Sequence, residues 1–114
     1  GNALMATLEH EQVSEVVTAF GEKSVSAQHV AQAVAHEVRG YRDGSGALGP
    51  HLADQWMLPL ALAVAQRRGQ ASFTCTEMTG HATTNIGTIE KFLPLRFAVE
   101  VAAGCWRVTV AARI

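Results

Sequence analysis

Gly40 to Gly69 read GYRDGSGALGPHLADQWMLPLALAVAQRRG, and the change of composition inside this stretch decides how the chain is divided. Glycines at 40, 44, 46 and 49 and a proline at 50 make the strongest break in the sequence, because both residue types punctuate regular structure. A domain boundary is expected there, with 44–50 as a glycine-rich linker between residues 1–43 and residues 51–114. Beyond the break, HLADQWMLPLALAVAQ is apolar on nearly every side. That pattern predicts a helix inside a core, bent or started late at Pro59 and closed by Arg67, Arg68 and Gly69.

Working upstream, ALMATLEHEQVSEVVTAF contains two β-rich runs, Ala3 to Glu9 and Val13 to Phe20, joined through polar His10, Glu11 and Gln12, which predicts a hairpin. Ser26 is a good N-cap, and Val30, Val34, Val38 and Tyr41 recur at steps of four, four and three. They lie on one face of an amphipathic helix expected to end near Gly44. Downstream, ASFTCTE alternates as a strand, and TGHATTNIGTIEKFLP supplies a turn and a helix with Ile86, Ile89 and Phe92 or Leu93 facing inward until Pro94. LRFAVEVAAGCWRVTVAARI reads as a hairpin turning around Ala103-Gly104. The second half is thus helix, strand, helix, strand, strand, and the fold class is α/β (α+β).

The 114 residues, 48% of them hydrophobic, are enough for a core. The longest apolar run is about a dozen residues, short of the ~20 that cross a bilayer, so no membrane partner is expected. Nine Lys and Arg against ten Asp and Glu leave a formal charge of −1, which excludes a large positive field for holding nucleic acid. Cys75 and Cys105 form no CxxC, which favours a reducing, cytoplasmic setting over a disulfide framework or zinc site. Because Gly1-Asn2 runs almost directly into a strand pattern without an initiator methionine, a piece of something longer is expected.

The chemistry gathers at His81, which stands just ahead of a predicted helix among the capping residues Thr83, Thr84 and Asn85. A helix N-terminus offers unpaired N–H groups and the positive end of the macrodipole, a natural seat for phosphate. The same end disfavours a cation and so favours a neutral imidazole with a free lone pair, a nucleophile for phosphorus once a partner orients the other ring nitrogen. Read blandly, Thr83 or Thr84 caps the helix and His81 is a turn residue. Asp54 and Gln55 sit in an otherwise apolar helix, where a buried carboxylate and amide must be paired, in a structural network or around a ligand. His29 and His36 are two turns apart, too far to share a metal, and His10 belongs to the hairpin turn. Trp56, Trp106, Phe92 and Phe97 read as core rather than as base-stacking platforms. No metal ligands are assigned.

HLADQWMLPLALA followed by GHATTNIGTIEKFLPLRF resembles the C-terminal part of RNA 3'-terminal phosphate cyclases, in which an LADQ helix precedes an H-x-x-TNI helix. GEKSVSAQHVAQAVAHEV and the Gly1-Asn2 start are similar to the same family, so the likeness spans essentially the whole chain. It implies a protein about three times longer, about two ordinary domains by size. Residues 1–43 would end a small thioredoxin-like inserted domain, and 51–114 would form the last repeat of a large multi-repeat cyclase domain.

The implied activity is that of a ligase, converting RNA 3'-phosphate ends to 2',3'-cyclic phosphates with ATP and Mg²⁺ or Mn²⁺ through a covalent histidyl-AMP. By this likeness His81 is the nucleophile, Asp54 and Gln55 contact the nucleotide or His81, and His51 stacks on the adenine, although many members carry an aromatic residue there. The glycine-rich signature, the metal-associated acidic residue and most of the RNA channel would lie outside these residues. The expected partners are therefore an RNA 3'-phosphate end and the N-terminal part of the same protein. The isolated chain should be inactive, with exposed apolar surface that invites self-association. The alternative is a noncatalytic RNA-processing or ribosome-biogenesis factor on the same scaffold. A eukaryotic branch of that kind lacks the nucleophilic histidine, and the presence of His81 argues for the cyclase branch.

Overall fold

The alternation in the first twenty residues resolves as an antiparallel hairpin of β1 (Ala3–Glu9) and β2 (Ser14–Phe20), in register from Ala3 opposite Phe20 to Glu9 opposite Ser14. The computed structural model describes residues 1–113 and divides them into two compact units, meeting between Gly44 and Ser45. In the first unit, β2 points Glu15 and Val17 inward, and directly opposite them on the same face stand Leu8 and Ala6. The helix α1 (Ala27–Asp43) begins where the Ser26 side chain accepts a hydrogen bond from the His29 N–H. Its stripe packs on the hairpin, with Val34 buried and Val30, Val38 and Tyr41 half-buried. The other face of the hairpin leaves Val16 and Phe20 exposed.

The second unit runs α2 (Pro50–Arg67), β3 (Gln70–Cys75), α3 (Gly80–Phe92), β4 (Leu95–Ala102) and β5 (Cys105–Ala112). Its sheet has the order β3-β5-β4 with both pairings antiparallel. The molecule is therefore mixed α/β, with three helices and two small sheets among the described residues. The β4–β5 turn has positive φ at both central residues, 31° at Ala103 and 83° at Gly104, the combination whose twist matches two antiparallel strands. One face of the sheet contributes Phe73, Cys75, Leu95, Val108 and Val110 to a core completed by Ala53, Met57, Ala61 and Val64 of α2 and Ala82 and Ile89 of α3. At its border Trp56 meets Phe73 edge to face. Glu90 ties α3 to β4 by accepting the Phe97 N–H at 2.7 Å.

Three local expectations change. Pro59 does not delay the start of α2, which begins at Pro50 in the favoured first position and continues through Pro59 to Arg67. The missing N–H falls opposite the carbonyl of Gln55, an exposed residue, and Pro59 itself is exposed. Nor is α2 buried all round. Its inward stripe is Ala53, Met57, Ala61 and Val64, while Leu58 (48%) and Leu62 (43%) remain exposed, since the three-stranded sheet and α3 cover only one side. Phe92 faces solvent, and α3 turns Ala82 and Ile89 inward.

The glycine-rich stretch is anchored rather than loose after residue 44. Leu48 is buried, its N–H donates to Thr74 O, and its carbonyl accepts from Thr76 N–H, so 46–48 run beside the end of β3. Gly46 is required by that approach, because a Cβ there would stand 2.2 Å from the Cys75 carbonyl carbon.

Candidate functional site

The site is built where the start of α3 meets the first turns of α2. Thr79 is the N-cap of α3, its Oγ1 accepting the Ala82 N–H at 3.1 Å. Thr83 and Thr84, offered by the sequence as alternative caps, instead lie within the helix, and the Thr83 hydroxyl donates back to the Thr79 carbonyl. His81 thereby becomes the second residue of the helix rather than a residue ahead of it. Thr83 N–H to Thr79 O is the first bond of the backbone ladder here. The amides of Gly80 and His81 precede it and so have no acceptor within the helix.

His81 Nδ1 lies 2.7 Å from Asp54 Oδ2, across 27 residues of sequence. The carboxylate is sheltered, with 20% of its side chain exposed, whereas the imidazole is 82% exposed. An ionised carboxylate can only accept, so the bond to Asp54 calls for a proton on Nδ1, and a neutral ring with that proton carries its lone pair on Nε2. The second oxygen of Asp54 is also engaged, with Asn85 Nδ2 donating to Oδ1 at 3.1 Å and lying 3.4 Å from the Asp54 carbonyl oxygen. His81 and Asn85 are four residues apart and therefore neighbours on one face of α3. Asp54 receives both.

Of the residues singled out from sequence, the structure brings His81 and Asp54 together. Gln55 is exposed and one step of about 100° round α2 from Asp54, so it is not the buried amide that the apolar surroundings of the helix had suggested. His51 is exposed, one turn before Asp54 on the same side of α2. Sequence reading passed over Asn85 by treating it as one more capping residue, and the signal that could have found it was its i, i+4 spacing from His81. Among the described residues no group of three or more His, Cys, Asp and Glu side chains is placed to hold a metal ion. No helix among them is long and apolar enough to cross a membrane.

A carboxylate-held imidazole with its far nitrogen open to solvent, at a helix end that favours anions, can act as nucleophile or general base toward a phosphoryl group. The class so defined is an α+β protein presenting an oriented histidine at a helix N-terminus. A model of the family described as RNA 3'-terminal phosphate cyclase matches residues 4–99. The chain is 46% identical over 110 residues to the RNA 3'-terminal phosphate cyclase of Salmonella enteritidis PT4, covering 96% of this chain and 31% of that protein. Similar proteins of the same name occur in Ralstonia nicotianae (45% over 100 residues, 88% of this chain, 27% of the relative) and Koribacter versatilis (42% over 113 residues, 99% and 30%). The chain belongs to the RNA 3'-terminal phosphate cyclase family. It spans less than a third of the length of these curated relatives.

Proposed function

We propose that this chain is the part of an ATP-dependent RNA 3'-phosphate cyclase, a ligase, that carries its nucleophile, and that His81 is that residue. The observation that supports it most is the 2.7 Å bond from His81 Nδ1 to Asp54, which leaves Nε2 as the free and accessible nitrogen. In the first step the Nε2 lone pair attacks the α-phosphorus of ATP, an N–P bond forms, and the P–O bond to pyrophosphate breaks. The ring keeps its Nδ1 proton and becomes cationic, and the Asp54 carboxylate stabilises that charge. An oxygen of the RNA 3'-phosphate then attacks the same phosphorus, the N–P bond breaks, and the neutral imidazole returns. Finally the ribose 2'-hydroxyl attacks the activated 3'-phosphorus, AMP departs as the leaving group, and the hydroxyl proton passes to a base or to solvent.

The Gly80 and His81 amides suit a phosphate oxygen in the first step. Exposed Gln55 and His51 at the start of α2 are the residues proposed to face the nucleotide, His51 by stacking on the adenine. The described residues do not fit a metal ion, so ligands for Mg²⁺ or Mn²⁺ are proposed to lie in the rest of the protein, and no step here is derived through the metal. The two compact units suit a finer reading of the fold: residues 1–43 as the end of a thioredoxin-like inserted domain, and the second unit as the last repeat of a multi-repeat cyclase domain.

The test uses the full-length protein with α-labelled ATP and Mg²⁺ or Mn²⁺. Acid-labile, alkali-stable label that disappears in His81→Asn is the expected result, with no label on the isolated chain. A folded, ATP-binding parent that takes no label would sink the covalent reading and leave a noncatalytic RNA-processing role on this scaffold.

A further inference from the structure

Exposure falls along a short chain of side chains at the site. The His81 imidazole is 82% exposed, the Asp54 carboxylate 20%, and Asn85 is half-buried in the second turn of α3. A ring so open has little packing to fix its rotamer, so its orientation rests on the one carboxylate oxygen it bonds. Burial restricts that carboxylate but does not choose which of its two equivalent oxygens meets the ring, and that choice depends on what holds the other oxygen. Asn85 Nδ2 holds it, donating to Oδ1 at 3.1 Å while lying 3.4 Å from the carbonyl of the same residue. It thus addresses both the backbone and the carboxylate of Asp54. With Oδ1 occupied, Oδ2 is the oxygen left for the ring.

We infer that Asn85 is a positioning residue, clamping Asp54 so that His81 is held as the Nδ1–H tautomer with Nε2 turned outward. Its catalytic consequence rests on the reading of His81 as the nucleophile. A merely structural asparagine would tie α2 to α3 and nothing more, and its loss would lower stability without changing the ring. A positioning asparagine changes which nitrogen carries the proton. An Nε2–H tautomer has its lone pair on Nδ1, turned toward Asp54, and none on the outward nitrogen, so the fraction of productive rings falls while nucleotide binding is untouched.

Two readouts on the full-length protein decide this. Imidazole ¹⁵N NMR of histidine-labelled protein without nucleotide reports the tautomer, and single-turnover labelling with α-labelled ATP reports the rate of adenylylation. In wild type the His81 signal should be that of Nδ1–H with an unprotonated Nε2. In Asn85→Leu, which keeps the volume but removes the donor, it should move toward a tautomer mixture. The adenylylation rate at saturating ATP should fall on the order of tenfold with KM for ATP nearly unchanged. Asn85→Gln, which restores an amide, should recover part of both. Should Asn85→Leu not fold, Asn85→Ala, which also lacks a side-chain donor, is read in the same way. If folded Asn85→Leu or Asn85→Ala keeps the wild-type tautomer and rate, the positioning role is overturned. If wild type takes no label on His81, the nucleophile reading falls by itself, and the tautomer comparison still decides the role of Asn85.

Discussion

His10 and His81 each bond a side chain distant in sequence, Tyr41 at 31 residues and Asp54 at 27, yet only one of the two is held by a carboxylate at the start of a helix. His10 closes the β1–β2 turn, where its N–H donates to Val13 O, and its Nε2 meets the Tyr41 hydroxyl at 3.0 Å with the rings tilted at 59°. That contact spends the outer nitrogen on a neutral hydroxyl and joins the hairpin tip to the last turns of α1. His81 spends its inner nitrogen on a carboxylate and leaves the outer one to solvent at the start of a helix. A histidine hydrogen bond therefore says little about function. What matters is which nitrogen it uses, whether the partner is charged, and what electrostatic end of a helix the ring occupies.

The comparison is most exposed at Asp54. In the full-length protein Asp54→Asn keeps the shape but replaces the charge and the obligatory acceptor. The rate of adenylylation should fall by about 10²–10⁴, as when a buried carboxylate behind a catalytic histidine loses its charge. A rate within a few-fold of wild type would reduce the His81–Asp54 bond to the same standing as the His10–Tyr41 tie. Next in size is the cap. Thr79→Ala removes the acceptor for Ala82 N–H and should cost about 1 kcal/mol in thermal or urea unfolding of this chain. An unchanged midpoint would mean that Thr79 does not fix where α3, and hence His81, begins.

The smallest effect belongs to the other histidine. Burial, and after it the charge of Glu15, raises the pKa of the Tyr41 phenol above its ordinary value. A raised phenol binds its proton more tightly in the folded state, so the associated stability is complete below about pH 10 and is lost as pH rises through the folded value. Tyr41 is the only tyrosine, so an alkaline absorbance titration reads it alone and should show a midpoint above that of free tyrosine. Tyr41→Phe should remove that alkaline slope, cost about 0.5–1.5 kcal/mol, and leave adenylylation by the full-length protein at the wild-type rate. A lost rate would show that the two histidines are not separate in function.

Much of this fold was legible because its signals are local. The alternation of Ala3–Glu9, the Ser26 cap, the valine stripe of α1 and the Ala103-Gly104 turn each depend on a few adjacent residues, and each forms in the structure. Errors arose where several residues competed for one role or where burial depended on what lies opposite. Thr79, Thr83 and Thr84 can all cap, and the choice fell to the residue whose hydroxyl reaches the Ala82 amide. Leu58, Leu62 and Phe92 have the composition of core residues and are exposed, since no element among the described residues of their unit covers them.

By itself the sequence determined the order of helices and strands, the break near the glycines, and the two motifs that place the chain in its family. Local periodicity and short spacing are enough for those. Only the tertiary structure decided that Asp54 meets Nδ1 rather than Nε2, that Asn85 takes the other carboxylate oxygen, and that Gln55 is exposed rather than buried. These depend on how α2 and α3 pack against the β3-β5-β4 sheet, and the distance between side chains on two different helices is set by that packing, which no local period encodes.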